Sequence, residues 1–213
     1  MSAIPSVRGR SPRPDPTRAS LTPEAWIEAA TDVLVDHGMD KIRVDDLAKH
    51  LGVTRGSFYW HFRDRDELLQ RVLATWRHQA TEDLTRRLEA ANPDPREQLQ
   101  EVLTLPFRGR AAARAARIEL AIRAWARGDA AARVAVDEAD TNRISYIAQL
   151  FSQLGFRVTE ARMRAQLLYA LLVAESVAPA LVNPANRAGL AQFVEGLLAV
   201  PGRQAAVVAM GHD

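Results

Sequence analysis

Cysteine is absent from the 213 residues. That excludes a disulfide frame, a thiolate metal site and a cysteine nucleophile, and it suits a reducing compartment. Strand-like alternation is missing throughout, as is any repeat period. No long apolar run exists either. The longest, Leu167 to Ala174, stops at Glu175, far short of the ~18 residues that suggest a membrane span. The opening MSAIPSVRGRSPRPDPTRAS lacks the apolar core of a secretory signal. These absences lead us to expect a cytoplasmic protein with no membrane partner. A charge excess is lacking too: the net charge is +2, a weak argument for a polyanionic partner. No H-E-x-x-H, G-x-S-x-G, G-x-G-x-x-G or phosphate loop occurs, and the histidines (His37, His50, His61, His78, His212) are scattered. We therefore expect no enzyme, no catalytic or metal site and no cofactor.

What is present is helical periodicity. At 47% apolar the chain can build a core, and every apolar segment after residue 20 repeats at helical spacing. Residues 1–20 are Ser-, Pro- and Arg-rich and read as a disordered basic tail. Arg8, Arg10, Arg13 and Arg18 stand there against Asp15. The tail is either inert or an arm that touches phosphates or a minor groove. Thr22-Pro23-Glu24 opens a first helix with a cap, a Pro at its first position and an acid in its first turn. Trp26, Ala30, Val33 and Leu34 form its buried stripe, and Gly38 ends it.

The central stretch is VDDLAKHLGVTRGSFYWHF, Val44 to Phe62. Val44, Leu47, Ala48 and Leu51 mark one helix face; Phe58 and Phe62 mark the inner side of a second helix. Gly52 sits where a helix C-terminus needs a left-handed residue, and Thr54 where the next helix needs a cap. Two helices joined this way form a helix-turn-helix, whose second helix enters the major groove of DNA. Asp64 then caps a long helix, with Glu67 reaching back as in a capping box. Leu68, Leu69, Val72, Leu73, Trp76, Leu84 and Leu88 carry it as one piece, a lever, until Asn92-Pro93-Asp94-Pro95 breaks it. Residues 21–70 hold more acids than bases, so a DNA-reading head needs segregated charge: Glu24, Glu28, Asp32 and Asp36 on the first helix, bases near the second.

From Arg96 onward further helices are expected over about 96–106, 110–126, 130–154, 159 onward and 186–200. The helix from 159 is apolar on every face between 167 and 174, and such a helix must be buried on every side. One side faces its own domain and the other a second copy, or else it is the central core helix of a monomer. The final helix has a similar stripe. Two such helices from each of two subunits make a four-helix interface. Leu167, Leu171, Leu172, Leu190, Phe193, Val194 and Leu197 are its candidates.

At LAKHLGVTRGSFYWHF followed by FRDRDELL, the chain resembles the TetR family of bacterial transcriptional regulators over about residues 22–76. The near-exclusive use of Arg over Lys and the abundant Ala fit a GC-rich bacterial genome. The resemblance implies an all-α fold: a three-helix helix-turn-helix head over 21–80 (the motif at about 43–62), then a ligand-binding and dimerising body over 81–213. It also implies a homodimer on double-stranded operator DNA, repression, and release by a small effector. A constitutive or protein-responsive factor, or an activator, is the alternative. Val44 departs from the Thr or Ser that the family more often places at the start of the second helix.

The expected DNA-facing set is Asp45, Thr54, Arg55, Gly56, Ser57, Tyr59, Trp60, His61 and Arg65. Arg55 can bond a guanine edge bidentately or meet a phosphate. Thr54, Gly56 and Ser57 are small and let the helix sit deep, and Asp45 complements a helix N-terminus. Tyr59 and His61 match the family's phosphate contacts. Trp60 can meet a sugar or a thymine methyl. Arg65 opens the long helix as a phosphate clamp. An effector pocket of apolar character with a few polar groups is expected from Phe107, Trp125, Tyr146, Phe151 and Tyr169, with Glu119, Arg123 and Glu175 as polar candidates. Each of these residues serves equally as ordinary core or as a surface pair.

Overall fold

The computed structural model describes residues 21–104, 109–177 and 196. Among the described residues all regular structure is helical. The helices are α1 (Pro23–His37), α2 (Val44–His50), α3 (Arg55–Phe58), α4 (Arg65–Ala80), α5 (Glu82–Ala91), α6 (Pro95–Thr104), α7 (Gly109–Trp125), α8 (Ala130–Gln153) and α9 (Val158–Val177). A 3-10 turn, Met39–Lys41, links α1 to α2. The expected all-α plan, a helix-turn-helix head followed by a helical body, is the one observed.

The head closes around aromatic rings. Phe58 and Trp26, both fully buried, meet edge to face at 5.3 Å, and Phe62 stacks on Phe58 at 5.2 Å. Leu47 and Ala48 of α2 and Leu68, Leu69 and Val72 of α4 complete this core. Its apolar burial holds the short α3, which as a single turn has no helical stability of its own. The turn before α3 follows from Gly52, at φ +68°, a conformation that favours glycine. The Val53 N–H donates to the Ala48 carbonyl at 2.9 Å and Gly52 N–H to Lys49 at 3.2 Å, which ends α2 and satisfies its last carbonyls.

Two local expectations need correction. Thr54 is extended, but its side chain makes no capping bond. Val44 does start α2, with Arg43 as the cap residue, again without a side-chain bond. Asp64 does cap α4, accepting from Glu67 N–H at 2.8 Å. Glu67, however, reaches one residue further back than a capping box requires, to the Arg63 N–H at 2.9 Å.

The larger correction concerns the lever. The single helix expected from Asp64 to Asn92 is broken at Thr81, which is buried at φ −124°, ψ −79°. The Thr81 hydroxyl donates to the Arg77 carbonyl at 2.7 Å, a local bond that competes with the helix ladder. Arg143 of α8 donates Nε–H to the Ala80 carbonyl at 3.0 Å, so the acceptor at the break is satisfied from another helix.

The break coincides with a division of the core. One apolar cluster joins α1–α4 to the end of α7 and the start of α8. The other joins α5, α6, the second half of α8 and α9, around Leu99, Ile147, Leu150, Phe151 and Leu168. Between them runs a polar belt of Glu119, Arg123, Asp140, Arg143 and Tyr169. The head's acids also face the body: Arg114 pairs with Asp32 at 2.6 Å and with Glu28 at 3.6 Å, and Arg117 with Asp36 at 2.6 Å.

Candidate nucleic-acid interface

The end of the head that α2 and α3 form carries an unusual amount of exposed polar and aromatic surface. Phe58 and Phe62 turn inward, so their neighbours turn out: Trp60 is 87% exposed and Tyr59 51%. A tryptophan that bare is uncommon on a surface that stays in water. Thr54, Arg55 and Gly56 are exposed, while Ser57 and His61 are half-buried. Because the Thr54 hydroxyl caps nothing, it is available to an outside partner.

Arg55 opens α3 and leans across to α2. Its Nη1 lies 3.4 Å from the Asp45 carboxylate, and its Nη2 donates to the Tyr59 hydroxyl at 3.1 Å. The Tyr59 hydroxyl and the Asp45 charge hold the guanidinium more firmly protonated than usual. The structure therefore brings Asp45, Arg55 and Tyr59 into one surface cluster, beside Thr54, Gly56, Ser57, Trp60 and His61. This face carries the Arg55 cation, hydroxyls and aromatic rings, groups used on phosphates and base edges, together with the Asp45 carboxylate.

Arg65, expected as a phosphate clamp, spends two of its donors inside the head. Its Nε–H donates to the Ile42 carbonyl at 2.7 Å and its Nη2 to the Met39 carbonyl at 3.0 Å. The guanidinium ties the first turn of α4 to the segment entering α2.

Of the described residues expected to form an effector pocket, Tyr146, Phe151 and Tyr169 share one apolar cluster and Trp125 sits in the other, on the head side. Tyr146 donates its hydroxyl to Gln98 Oε1 at 3.0 Å; burial, then the nearby Glu89 and Glu101, pushes this phenol up to about 12. Phe107 and the Glu175 side chain lie outside the described residues, as do Leu190, Phe193, Val194 and Leu197 of the expected subunit interface. Of that interface set, Leu167 is 63% exposed, and Leu171 and Leu172 are half-buried.

Glu119, Arg123 and Tyr169 do come together, but with each other. Glu119 accepts from Arg123 Nε at 2.8 Å and from both Arg143 Nη groups at 3.1 and 3.0 Å. Asp140 accepts from Arg123 Nη2 at 2.5 Å and from the Tyr169 hydroxyl at 2.6 Å. Burial works against charge on Arg123 and Arg143, yet the carboxylates outweigh it and both are held firmly protonated. Burial, against the pull of Arg143, pushes the Tyr169 phenol up to about 12. Asp140 and Arg143 are the members that sequence reading missed. Their signal was available: charges three residues apart on the apolar face of α8 that also carries Val136, Ala139 and Ile147. An open groove of about 660 Å³ lies instead between the ends of α1 and α7, lined by Leu34, Met39, Leu120, Ala124 and Trp125 among others. The Trp125 Nε1 has no hydrogen-bond partner among the described residues.

Comparison with known proteins bears directly on the head. Residues 27–72 match the family model described as bacterial regulatory proteins, tetR family. The chain is 42% identical over 67 residues to the HTH-type transcriptional regulator SrpR of Pseudomonas putida, a match covering 32% of each protein. It is 35% identical over 91 residues to the probable acrEF/envCD operon repressor of Escherichia coli K12, covering 40% of this chain and 39% of that one. Across such relatives the chain spans from 25% to 50% of their length. Solved structures share the fold over most of the chain. A transcriptional regulator from Rhodococcus sp. Rha1 superposes with a TM-score of 0.62 at 24% identity, covering 84% of this chain and 92% of that one. A Saccharomonospora viridis protein described as a transcriptional regulator, solved in complex with choline, gives 0.67 at 20% identity over 81% and 95%. The helix-turn-helix geometry and the family match fall on the same residues, so the head of the chain, residues 27–72, is similar to the tetR family of bacterial regulatory proteins.

Proposed function

We propose that this protein is a cytoplasmic, homodimeric, sequence-specific DNA-binding regulator of transcription, of the repressor kind. The observation that carries the reading is the outward cluster of Asp45, Arg55, Tyr59 and Trp60 on a head whose matching residues in the relatives belong to named transcriptional regulators. Thr54, Arg55, Gly56 and Ser57 enter a major groove of double-stranded DNA, and Tyr59, Trp60 and His61 meet the flanking backbone. The pairing of Glu28, Asp32 and Asp36 with body arginines supports this, because it neutralises acids of the head. Two heads on one palindromic operator require a dimer. The exposed Val158, Met163 and Leu167 on α9 support an apolar interface there.

A small, largely apolar effector in the body would release the DNA by shifting α4. A second reading, a constitutive or protein-responsive factor, is favoured by one observation. Within the described body, the residues expected to line a pocket are spent in two apolar clusters and in the polar belt. Selection from random duplex DNA tests the function. The wild type should enrich an inverted repeat and Arg55→Ala should enrich none. Failure of the wild type to enrich any sequence would overturn the reading. Thermal unfolding across a metabolite library then separates the two versions, since a ligand of the native state raises the midpoint.

A further inference from the structure

Arg55 and Asp45 are both largely exposed, at 59% and 68% of their side-chain surface. An ion pair of that kind contributes little to folding. Its consequence lies in where it puts the guanidinium. An arginine with a free side chain at the edge of a duplex settles on the nearest phosphate, which gives affinity without sequence information. Here two groups, one on α2 and one at the end of α3, restrict it. The Asp45 carboxylate, in the first turn of α2, takes Nη1. The Tyr59 hydroxyl, one helical turn past Arg55, takes Nη2 and lies with its ring 5.9 Å from the guanidinium carbon. The guanidinium carries more donors than these contacts use, so an edge of it remains to meet a base. Tyr59 accepts with its oxygen, which leaves its own O–H to donate to a phosphate.

Resting on the reading of the head as a DNA reader, we propose that Asp45 is a positioning residue that sets sequence specificity. With the Tyr59 hydroxyl it holds Arg55 toward a base edge, and its negative charge keeps the guanidinium off the phosphates. Asp45 thus weakens binding to DNA in general while sharpening the choice among sequences. A carboxylate so close to DNA is otherwise only a liability, since it repels every phosphate it nears.

The test measures the affinity of a selected duplex and of a scrambled duplex at several salt concentrations. The proteins are the wild type, Asp45→Ala, Asp45→Asn, Arg55→Ala and the Asp45→Ala/Arg55→Ala double variant. Asp45→Ala should bind the scrambled duplex more tightly and lower the specificity ratio about tenfold. Its salt dependence should steepen by about one phosphate contact. Asp45→Asn, which keeps an acceptor and loses the charge, should fall between. Once Arg55 is alanine, removing Asp45 should leave the ratio unchanged, because the effect passes through Arg55. A direct structural or contact role for Asp45 would instead weaken both duplexes alike and add to the Arg55 loss. That result, or an Asp45→Ala ratio within twofold of the wild type, overturns the proposal while leaving the DNA-reading assignment standing. A wild type that selects no sequence overturns both.

Discussion

Glu119→Gln is the most informative single change in the body. The side chain is nearly buried, with 11% of its surface exposed, and it faces Arg123 at 21% and Arg143 at 18%. Glutamine keeps the size and one acceptor oxygen, so no cavity opens; the perturbation is the lost charge and the loss of one of the two oxygens that accept from Arg123 and Arg143. Asp140 then remains as the carboxylate bonded to Arg123, and the Tyr169 hydroxyl and the Ala80 carbonyl remain for Arg143. Breaking a buried pair by removing one partner costs roughly 3–5 kcal/mol, because the other charge is left uncompensated. The surviving acceptors place this case at the low end, about 3 kcal/mol. For a chain of this length that corresponds to about 6–12 °C in the unfolding midpoint. Urea and thermal unfolding followed by circular dichroism measure it. Adding Arg143→Met, which removes the stranded cation, should recover part of the loss despite giving up the Ala80 contact. A Glu119→Gln midpoint indistinguishable from the wild type would refute the reasoning, and would mean that water screens the belt.

Two further outcomes follow from other contacts. Arg65→Lys should destabilise the head, since an ammonium cannot span the Ile42 and Met39 carbonyls as the guanidinium does; a pure phosphate clamp would instead keep its stability and its salt slope in Arg65→Lys. Stability should fall as pH rises from 10 to 12, because Tyr169 and Tyr146 ionise at about 12 when folded against an ordinary 10.0. The unfolded chain then binds fewer protons, so the contribution of the neutral phenols is complete below pH 10 and gone above 12. Phenolate absorbance and urea unfolding across that range measure the two sides of this linkage.

Sequence by itself determined the parts governed by one or two helical turns. The stripes of α1 and α2, the left-handed Gly52, the Asp64 cap and the inward Phe58 and Phe62 depend on spacing and local backbone chemistry, so the head was legible. Only the tertiary structure decided what far partners do with a residue. The lever breaks at Thr81, where α8 brings Arg143 to the Ala80 carbonyl. The acids of α1, which made the head look unsuited to DNA, are paired by Arg114 and Arg117 of α7. Arg65, whose place in the motif suggested a free clamp, is held by carbonyls of the preceding loop. Glu119, Arg123 and Tyr169 read as pocket residues, yet they close on one another around Arg143. Periodicity shows which face of a helix is apolar. Whether a charge on that face meets solvent, a ligand or an opposite charge depends on where helices cross, and that is set by packing between segments remote in the chain.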